Sequence, residues 1–396
     1  MQTHLTDIQT IVDEITHRLE KLNQKSVTNP SYETGLLGYS LYYALLAKYK
    51  DEPQHIQTAE SYFEKAMDSL DIENFQRVYD TDSIDGHLSH IGRFLLYVKE
   101  NGLLEIDSDA YLLQLDEILT DLMESKVSIK DFDSLSGAMA SGFYFLARQE
   151  AGIDLTKQIT FIIHSLENFA ERDRDGDYFW KSPSLYQRIY LGISHGSAMM
   201  ISFLTRAKML KIEEALCARI MEKACNFIRK QYRISPYKGL FPNMVGEPIE
   251  PMQFALCYGD LGVGYALFKA AKSLNDDALM SFSKIVLDDC LLRSKDDNLT
   301  LDASVFYGAS GLVIAFEKMY QESGDQAFKD RSAYWYDQIN NYKTRKSAFA
   351  GFESRLDKDD MLWNIAFGWG ILGIGCTLMC YENDALPPLS PLTFIA

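Results

Sequence analysis

The sequence predicts an all-α protein in which seven helical hairpins close into a ring. Three observations support this prediction. A glycine turn followed by an apolar helical run recurs seven times, and successive copies lie 48 to 63 residues apart. The period-2 alternation of β-branched residues that is typical of strands is scarce. Each interval has room for two helices and their loops, so we expect one domain over residues 1–396, built of seven hairpin repeats.

The repeated element is the turn that opens the first helix of each hairpin. Its runs, such as "GVGYALF" and "GLVIAF", are apolar nearly all round, which is typical of helices buried on every side. Stacked hairpins form either an open solenoid or a closed ring. Runs without a polar face favour the closed form, an α/α toroid with seven inner and seven outer helices. The aligned glycines are Gly38, Gly86, Gly137, Gly196, Gly259, Gly308 and Gly370.

The amphipathic segments complete the hairpins. "TFIIHSLENFAERD" and "EEALCARIMEKACNFIRKQYR" lie between glycine turns and predict outer helices. The first segment, "MQTHLTDIQTIVDEITHRLEKL", also has its apolar residues on one helical face. Acidic residues interrupt this segment, so it does not resemble a signal peptide.

Composition and charge limit the classes of partner. The chain is 47% hydrophobic and 24% charged, which is ordinary for a globular protein. A net charge of −17 argues against nucleic acids and anionic membranes and would attract a basic peptide. No segment is apolar for long enough to cross a bilayer. Six scattered cysteines show no disulfide-framework spacing, which favours a reducing compartment and predicts a cytoplasmic location.

The fifth and sixth turns share one frame but differ in chemistry. "FALCYGDLGVGYALFKAA" and "SVFYGASGLVIAF" both contain Tyr-Gly-x-x-Gly, yet only the fifth has a cysteine before its tyrosine, Cys257. In the sixth turn, Phe306 stands at that position.

Four motifs in this order resemble the lanthionine synthetase C-like family over nearly the whole chain: "DSLSGAMA", "GDYFWKSPSLYQRIYLGISHG", "LCYGDLGVGYAL" and "GILGIGCTL". The resemblance implies an α/α toroid and a peptide cyclase. Such an enzyme adds a cysteine thiol of a precursor peptide to dehydroalanine or dehydrobutyrine, closing a thioether ring. It also implies a peptide substrate, a dehydratase as partner, and a zinc ion held by one cysteine and an adjacent Cys-His pair.

The site residues match the family only in part. Cys257 and Tyr258 correspond to the first zinc cysteine and its tyrosine, His195 to the active-site histidine and Asp133 to the aspartate. The Cys-His pair, however, falls on Phe306 and Tyr307. The family arginine and the tryptophan before the cysteine are replaced by Gln253 and Leu256.

These replacements change the expected chemistry. A catalytic zinc site needs three protein ligands. Phe306 has no donor atom, and a phenol with a pKa of about 10 is a poor ligand at neutral pH. We therefore expect no stably bound zinc; weak binding by Cys257 with His195 is the alternative. A free thiol is still a few per cent thiolate at neutral pH, so the sequence leaves slow cyclisation without zinc open.

Within such a cyclase, His195 would protonate the enolate and Asp133 would orient its ring. The structural alternatives are a buried histidine and an aspartate that caps a helix. Three functions stay open at this point: a thioether-forming cyclase that lacks zinc, a non-catalytic peptide- or thiol-binding scaffold of a modification complex, and a glycan-processing toroid. The last needs two acids at one site, for which the turns offer Asp133 and Asp260.

A separate acidic loop, "DRDGD", contains Asp173, Asp175 and Asp177 and is similar to the start of a calcium-binding loop. It lacks the acidic residue that ends a complete loop. We therefore expect an ordinary Asp-Gly turn.

Overall fold

Seven helices form an inner ring in the computed structural model, which describes residues 2–22, 27, 29–69, 83–234, 238–344 and 346–395. Five of them begin directly after the aligned glycine, whereas Gly38 and Gly86 lie inside the first turns of their helices. The chain is mostly helical, and the predicted α/α toroid is confirmed. The inner helices are α2 (Leu36–Lys50), α4 (Ile84–Glu100), α6 (Ala138–Glu150), α8 (Ser197–Met209), α10 (Asp260–Leu274), α12 (Ala309–Ser323) and α15 (Ile371–Glu382).

Seven further helices form the outer ring, and each covers an inner helix. They are α1 (Gln2–Lys21), α3 (Gln54–Asp68), α5 (Asp109–Ser128), α7 (Thr156–Phe169), α9 (Glu214–Lys230), α11 (Asp277–Leu291) and α13 (Gln326–Ile339). The short α14 (Met361–Ile365) precedes α15, and an antiparallel pair, β1 (Glu171–Arg172) and β2 (Tyr178–Phe179), lies in the loop after α7.

The two ends of the chain close the ring. Helix α15 packs against α2, and α1 packs against α15, so the first helix of the sequence is the outer partner of the last inner helix. Inner and outer helices differ in burial as their sequence patterns predict. Residues 371–379 of α15 are all buried, whereas α9 buries one stripe and exposes the rest.

Two of the glycine turns show why no other residue fits. Gly259 has φ +92°, a conformation that disfavours residues with a Cβ, and a Cβ there would lie 2.2 Å from the carbonyl oxygen of Gln253. At Gly370, a Cβ would lie 2.3 Å from the carbonyl of Asn364. The chain therefore doubles back tightly in both places.

Among the helices that the structure describes, none combines the length and the apolar character that a membrane span requires.

Candidate active site

A series of hydrogen bonds links six of the seven turns, from the third turn round to the first. We call these turns together the turn belt; they are residues 133–136, 194–195, 257–258, 306–307, 368–369 and 32–33. On one side, Ser134 Oγ donates to the carbonyl oxygen of Ser194. Ser194 Oγ donates in turn to the carbonyl oxygen of Cys257, at 3.1 Å. Two serine hydroxyls thus hold the third, fourth and fifth turns together.

The rest of the turn belt is joined through the main chain. The nitrogen of Cys257 donates to the carbonyl oxygen of Phe306 at 3.2 Å. The main-chain nitrogen of Phe306 donates to the carbonyl oxygen of Gly368 at 2.9 Å. The main-chain nitrogen of Gly368 donates to the main-chain carbonyl oxygen of Glu33 at 3.2 Å. Residues far apart in the sequence therefore have fixed neighbours at the mouth of the ring.

Asp133 and His195, which the sequence analysis singled out separately, form a direct pair. His195 Nδ1 lies 2.6 Å from Asp133 Oδ1, and both side chains are largely buried, with 14% and 3% exposed. The other carboxylate oxygen, Oδ2, accepts bonds from the main-chain nitrogens of Leu135 and Ser136 and from the Ser136 hydroxyl. Asp133 therefore holds the turn with one oxygen and the imidazole with the other. It caps the turn that precedes α6 and not α6 itself, which begins after Gly137.

These contacts decide the charge of Asp133. Burial by itself would raise the pKa of this carboxyl group. The neighbouring His195 and the bonds from Leu135 and Ser136 outweigh burial and bring the pKa below its usual value. Asp133 is therefore ionised at neutral pH and accepts the Nδ1 proton of His195, which leaves Nε2 as the nitrogen that can exchange protons with a substrate.

Cys257 is buried beside this pair, and its thiol is not activated. Burial, followed by the nearby carboxyl group of Glu33, raises the pKa of Cys257 well above its ordinary value. The thiol stays protonated at neutral pH, so the structure gives no support to Cys257 as a nucleophile.

With the fold and the site described, the chain can be compared with known proteins. The family model for "Lanthionine synthetase C-like protein" matches residues 26–393. The chain belongs to this family. Among solved structures, it is similar to nisin cyclase, with a TM-score of 0.73 and 15% sequence identity over 100% of this chain and 98% of that chain. It also matches a cellobiose 2-epimerase from Bacillus thermoamylovorans, with a TM-score of 0.39 and 9% identity over 95% and 100% of the two chains. No curated protein sequence matches.

The residues of this lanthionine synthetase C-like protein do not fit the zinc ion that the family pattern implies. Cys257 has a sulfur ligand, but Phe306 has no donor atom, and burial raises the pKa of the Tyr307 phenol still further above neutral pH. His195 has its Nδ1 on Asp133. Over the described part of the chain, no three His, Cys, Asp or Glu side chains gather as metal ligands would.

Aromatic rings occupy the place of the absent ligands. Tyr258 stacks on Tyr307 with ring centres 5.6 Å apart, and Tyr258 also lies 6.2 Å from the His195 ring. Phe306 contacts Trp369 edge to face at 5.0 Å. We call the following set the aromatic wall: Tyr190, Tyr258, Phe306, Tyr307, Trp363, Trp369 and Phe394.

Several of these residues were not found by sequence reasoning. Trp369 lies between two glycines of the seventh turn, and Tyr190 lies in the quoted motif six residues before Gly196, so both had a weak positional signal. Phe394 had none, because its place depends on where the end of the chain packs.

The residue in place of the family arginine is a neutral donor. Gln253 is partly buried, and its amide nitrogen Nε2 is buried without a hydrogen-bond partner among the described residues. A buried donor of this kind is ordinarily satisfied by water or a ligand. Leu256, at the tryptophan position, is buried and packs close to Gly311.

Asp260, the second acid that the sequence analysis considered for a glycan-processing site, has structural partners of its own. Asp260 is fully buried, accepts bonds from the nitrogens of Leu240 and Phe241 at 2.8 and 2.9 Å, and pairs with Arg293. Its carboxylate is thus engaged away from Asp133, and the acid pair that a glycan-processing site requires is not formed by these two residues.

The acidic loop contains an ammonium group where a calcium ion would lie. Lys230 Nζ is 2.8, 2.7 and 2.6 Å from carboxylate oxygens of Asp173, Asp175 and Asp177. The hydrogen bond from Lys230 is the largest cause that lowers the pKa of Asp173, to about 2. The loop is therefore held to α9 by a side chain of the same protein.

Proposed function

We propose that this protein closes thioether rings in a dehydrated, cysteine-containing peptide without the zinc ion of its family. The family membership supports the class of reaction, and the name of nisin cyclase, whose fold the chain shares, supports a peptide substrate. The observation that carries the proposal is the 2.6 Å contact between His195 Nδ1 and Asp133 Oδ1. It orients an imidazole that is still partly accessible beside the turn that retains Cys257 and Tyr258.

In the proposed reaction, His195 moves one proton. Its Nε2 accepts the proton of the substrate thiol as the sulfur attacks the β-carbon of a dehydroalanine or dehydrobutyrine. The carbon–sulfur bond forms while the π electrons of the double bond shift to the α-carbon and the adjacent carbonyl. The protonated imidazole then returns its proton to the α-carbon, so no other reactant is consumed.

Asp133 and Tyr258 assist this step in different ways. The ionised carboxylate of Asp133 stabilises the imidazolium that exists between the two proton transfers. Burial raises the pKa of Tyr258, so its phenol stays protonated and can donate a hydrogen bond to the enolate oxygen. Gln253 offers a further donor but not the positive charge of an arginine.

The substrate and its supply follow from the same chemistry. The peptide must contain a free cysteine and a dehydrated serine or threonine, so a dehydratase must act before this protein. A net charge of −17 favours a basic peptide. We also propose that residues 1–396 form a single domain of seven hairpin repeats, since α1 and α15 close the ring.

The test is incubation of the purified protein with a dehydrated peptide containing one cysteine. Cyclisation leaves the peptide mass unchanged, so the readout is loss of the free cysteine thiol. The peptide is treated with an alkylating reagent, and mass spectrometry measures the fraction that is no longer alkylated. We expect loss of the thiol with the natural chain and none above the uncatalysed rate with His195→Ala. Equal rates with the two proteins would contradict the proposal.

A second function is favoured by the aromatic wall. Phe306 is buried and packs against Trp369. The rings of Tyr258, Tyr307 and Trp369 are partly exposed and form an apolar face that suits the aromatic, proline or cationic side chains of a peptide. In that case, the protein is a peptide-binding scaffold of a modification complex. It would then bind the dehydrated peptide without closing a ring. Titration with a fluorescently labelled peptide measures the binding, and the cysteine thiol of the peptide would not be consumed.

A further inference from the structure

The end of the chain, residues 383–395, lies inside the inner ring; we call it the C-terminal segment. Its single helical turn, Ser390–Leu392, packs against both α4 and α12. These are the second and the sixth of the seven inner helices, so the segment joins inner helices that are not neighbours in the ring. Leu386 and Leu389 line a cavity of about 380 Å³ with residues of α12 and α15 and with Lys329 of the outer helix α13, which places the start of the segment beside α12 and α15.

The segment runs along α4 towards the turn belt. Tyr97, near the end of α4, donates from its hydroxyl to the carbonyl oxygen of Pro387 at 3.3 Å. One turn earlier in α4, Arg93 Nη2 donates to the carbonyl oxygens of Pro391 and Thr393 at 2.7 and 2.9 Å. The order of the contacts shows that the segment is antiparallel to α4 and ends near the amino ends of the inner helices.

At its far end, the segment reaches the candidate site. Tyr32, in the first turn, donates from its hydroxyl to the carbonyl oxygen of Leu392 at 2.7 Å. Thr393 and Phe394 line a cavity with Ser134 and Leu135 of the third turn. The volume of this cavity is about 20 Å³, which is room for about one water molecule. Little space therefore remains between the end of the segment and the third turn.

The mode of binding is that of a peptide ligand. Arg93, Tyr32 and Tyr97 all donate to main-chain carbonyl groups of the segment, which recognises a peptide backbone whatever its sequence. The buried apolar side chains recur at every third position, with 6, 3, 1 and 1% exposed: Leu386, Leu389, Leu392 and Ile395. Backbone bonds supply affinity and the periodic apolar contacts supply register, as in other peptide-recognition sites.

We propose that the central channel of the toroid is a peptide-binding site and that the C-terminal segment is its intramolecular ligand. The bound segment closes the channel behind the site, so that a substrate enters from the turn-belt face alone. Its Phe394 ring, 5.1 Å from that of Phe306, forms part of the aromatic wall. This proposal does not depend on the cyclase reaction.

The test begins with the full chain, into which a recognition sequence for a specific protease is inserted between Asp384 and Ala385, two exposed residues. After folding and cleavage, we expect the released segment to remain bound through gel filtration. An excess of fluorescent synthetic peptide with the sequence of residues 385–396 should then exchange with it. Immediate loss of the segment from the cleaved natural chain would overturn the proposal.

Variants of the channel test the contacts themselves. Arg93→Ala removes two charge-assisted hydrogen bonds, so we expect binding of the synthetic peptide to weaken at least ~10-fold. Tyr32→Phe removes one neutral bond and should weaken binding roughly fivefold. Arg174→Ala is the matched control, because the Arg174 side chain is 93% exposed and remote from the channel. Equal affinity for the synthetic peptide in the natural sequence and in these three variants would overturn the proposal.

A further measurement covers the case in which Arg93→Ala does not fold. In the uncut full chain, hydrogen exchange of the amides of residues 386–395 should be faster in Tyr32→Phe than in Arg174→Ala. Equal exchange in these two variants would count against the channel as a binding site. None of these measurements uses a dehydrated peptide, so failure of cyclisation and failure of this proposal are distinguishable.

Discussion

The main-chain nitrogen of Cys257 donates a hydrogen bond of 3.2 Å to the carbonyl oxygen of Phe306. This bond joins the one retained cysteine of the family's metal site to the residue that replaces its partner. The backbone thus still brings the two ligand positions together, while the side chain at position 306 has changed from a thiol to an aromatic ring that packs on Trp369.

Restoring the ligands should therefore restore metal binding. We expect the double variant Phe306→Cys with Tyr307→His to bind about one zinc ion per chain, since Cys257 is already adjacent. Metal analysis after dialysis measures the zinc content. The triple variant that also has Cys257→Ser is the control and should lose the ion. A double variant that folds but stays free of zinc would show that the two turns are not aligned for coordination.

Removing the imidazole tests the proposed proton transfer. His195→Ala should lower the rate of thiol loss by about 10²- to 10⁴-fold, the usual contribution of a general acid–base group. Asp133→Asn should lower it less, because the imidazole remains but loses its ionised partner. The matched control is Ser136→Ala, which removes one bond to Oδ2 and leaves the contact with His195. A rate as low in Ser136→Ala as in Asp133→Asn would attribute the effect to the turn and not to the imidazole.

The phenol of Tyr258 can be tested without disturbing its ring. Tyr258→Phe keeps the stacking on Tyr307 and removes the hydroxyl group. If this hydroxyl stabilises the enolate, kcat should fall about 10- to 10³-fold with little change in KM. A rise in KM alone would instead indicate that Tyr258 only binds the peptide.

Glu33 should make the stability of the fold depend on pH. Its carboxyl group lies 3.2 Å from His90, but burial disfavours the charge on both groups and the pair is neutral. Burial raises the pKa of Glu33 to about 8, against the opposing effect of Arg93. In the unfolded chain, the pKa is about 4.3. Between these values the unfolded chain has lost a proton that the folded chain keeps, so stability falls as the pH rises towards 8.

The variant Glu33→Gln lacks this titration and keeps a hydrogen-bonding side chain. We expect its free energy of unfolding, relative to the natural chain, to increase by at least ~1 kcal/mol between pH 5.5 and pH 8.5. Urea denaturation at the two pH values measures the difference. Glu105→Gln, at an exposed position, should show no such trend. The absence of any trend in Glu33→Gln would mean that this carboxyl group is ionised in the fold.

Lys230 should stabilise the acidic loop at neutral pH. Replacing it with methionine leaves three carboxylates close together without their shared ammonium group, so we expect a lower midpoint of urea denaturation at pH 7. The pKa of Asp173 in the folded protein is depressed to about 2. The stabilisation by Lys230 is therefore present above about pH 4 and is lost as the pH falls through the folded pKa of about 2. The gap between the two proteins should therefore shrink as denaturation is repeated from pH 4 towards pH 2. Lys157→Met, at an exposed position of α7, is the control. A difference between the urea midpoints of the two proteins that stays constant with pH would show that Lys230→Met acts through lost side-chain packing and not through charge.

The toroid could be predicted from the sequence, and the replacement of metal ligands could be proposed from it, because both depend on local sequence patterns. A glycine at a turn and an apolar run after it are visible within about fifteen residues, and their sevenfold recurrence predicts stacked hairpins. The absence of a polar face from these runs then favours a closed ring over an open solenoid. The replacement of a Cys-His pair by Phe306 and Tyr307 is likewise visible at two adjacent positions. By itself, the sequence determined these features, along with Asp133, His195, Cys257 and Tyr258 as site candidates.

Only the tertiary structure decided which of these groups touch. Asp133 and His195 are 62 positions apart, and Tyr32 and Leu392 are 360 apart. Such contacts depend on how the hairpins pack and not on any local pattern. For the same reason, the sequence did not place Phe394 in the aromatic wall, Lys230 among the three aspartates, or the C-terminal segment in the channel. Each is held by partners from another part of the chain, and those partners become neighbours only when the ring closes.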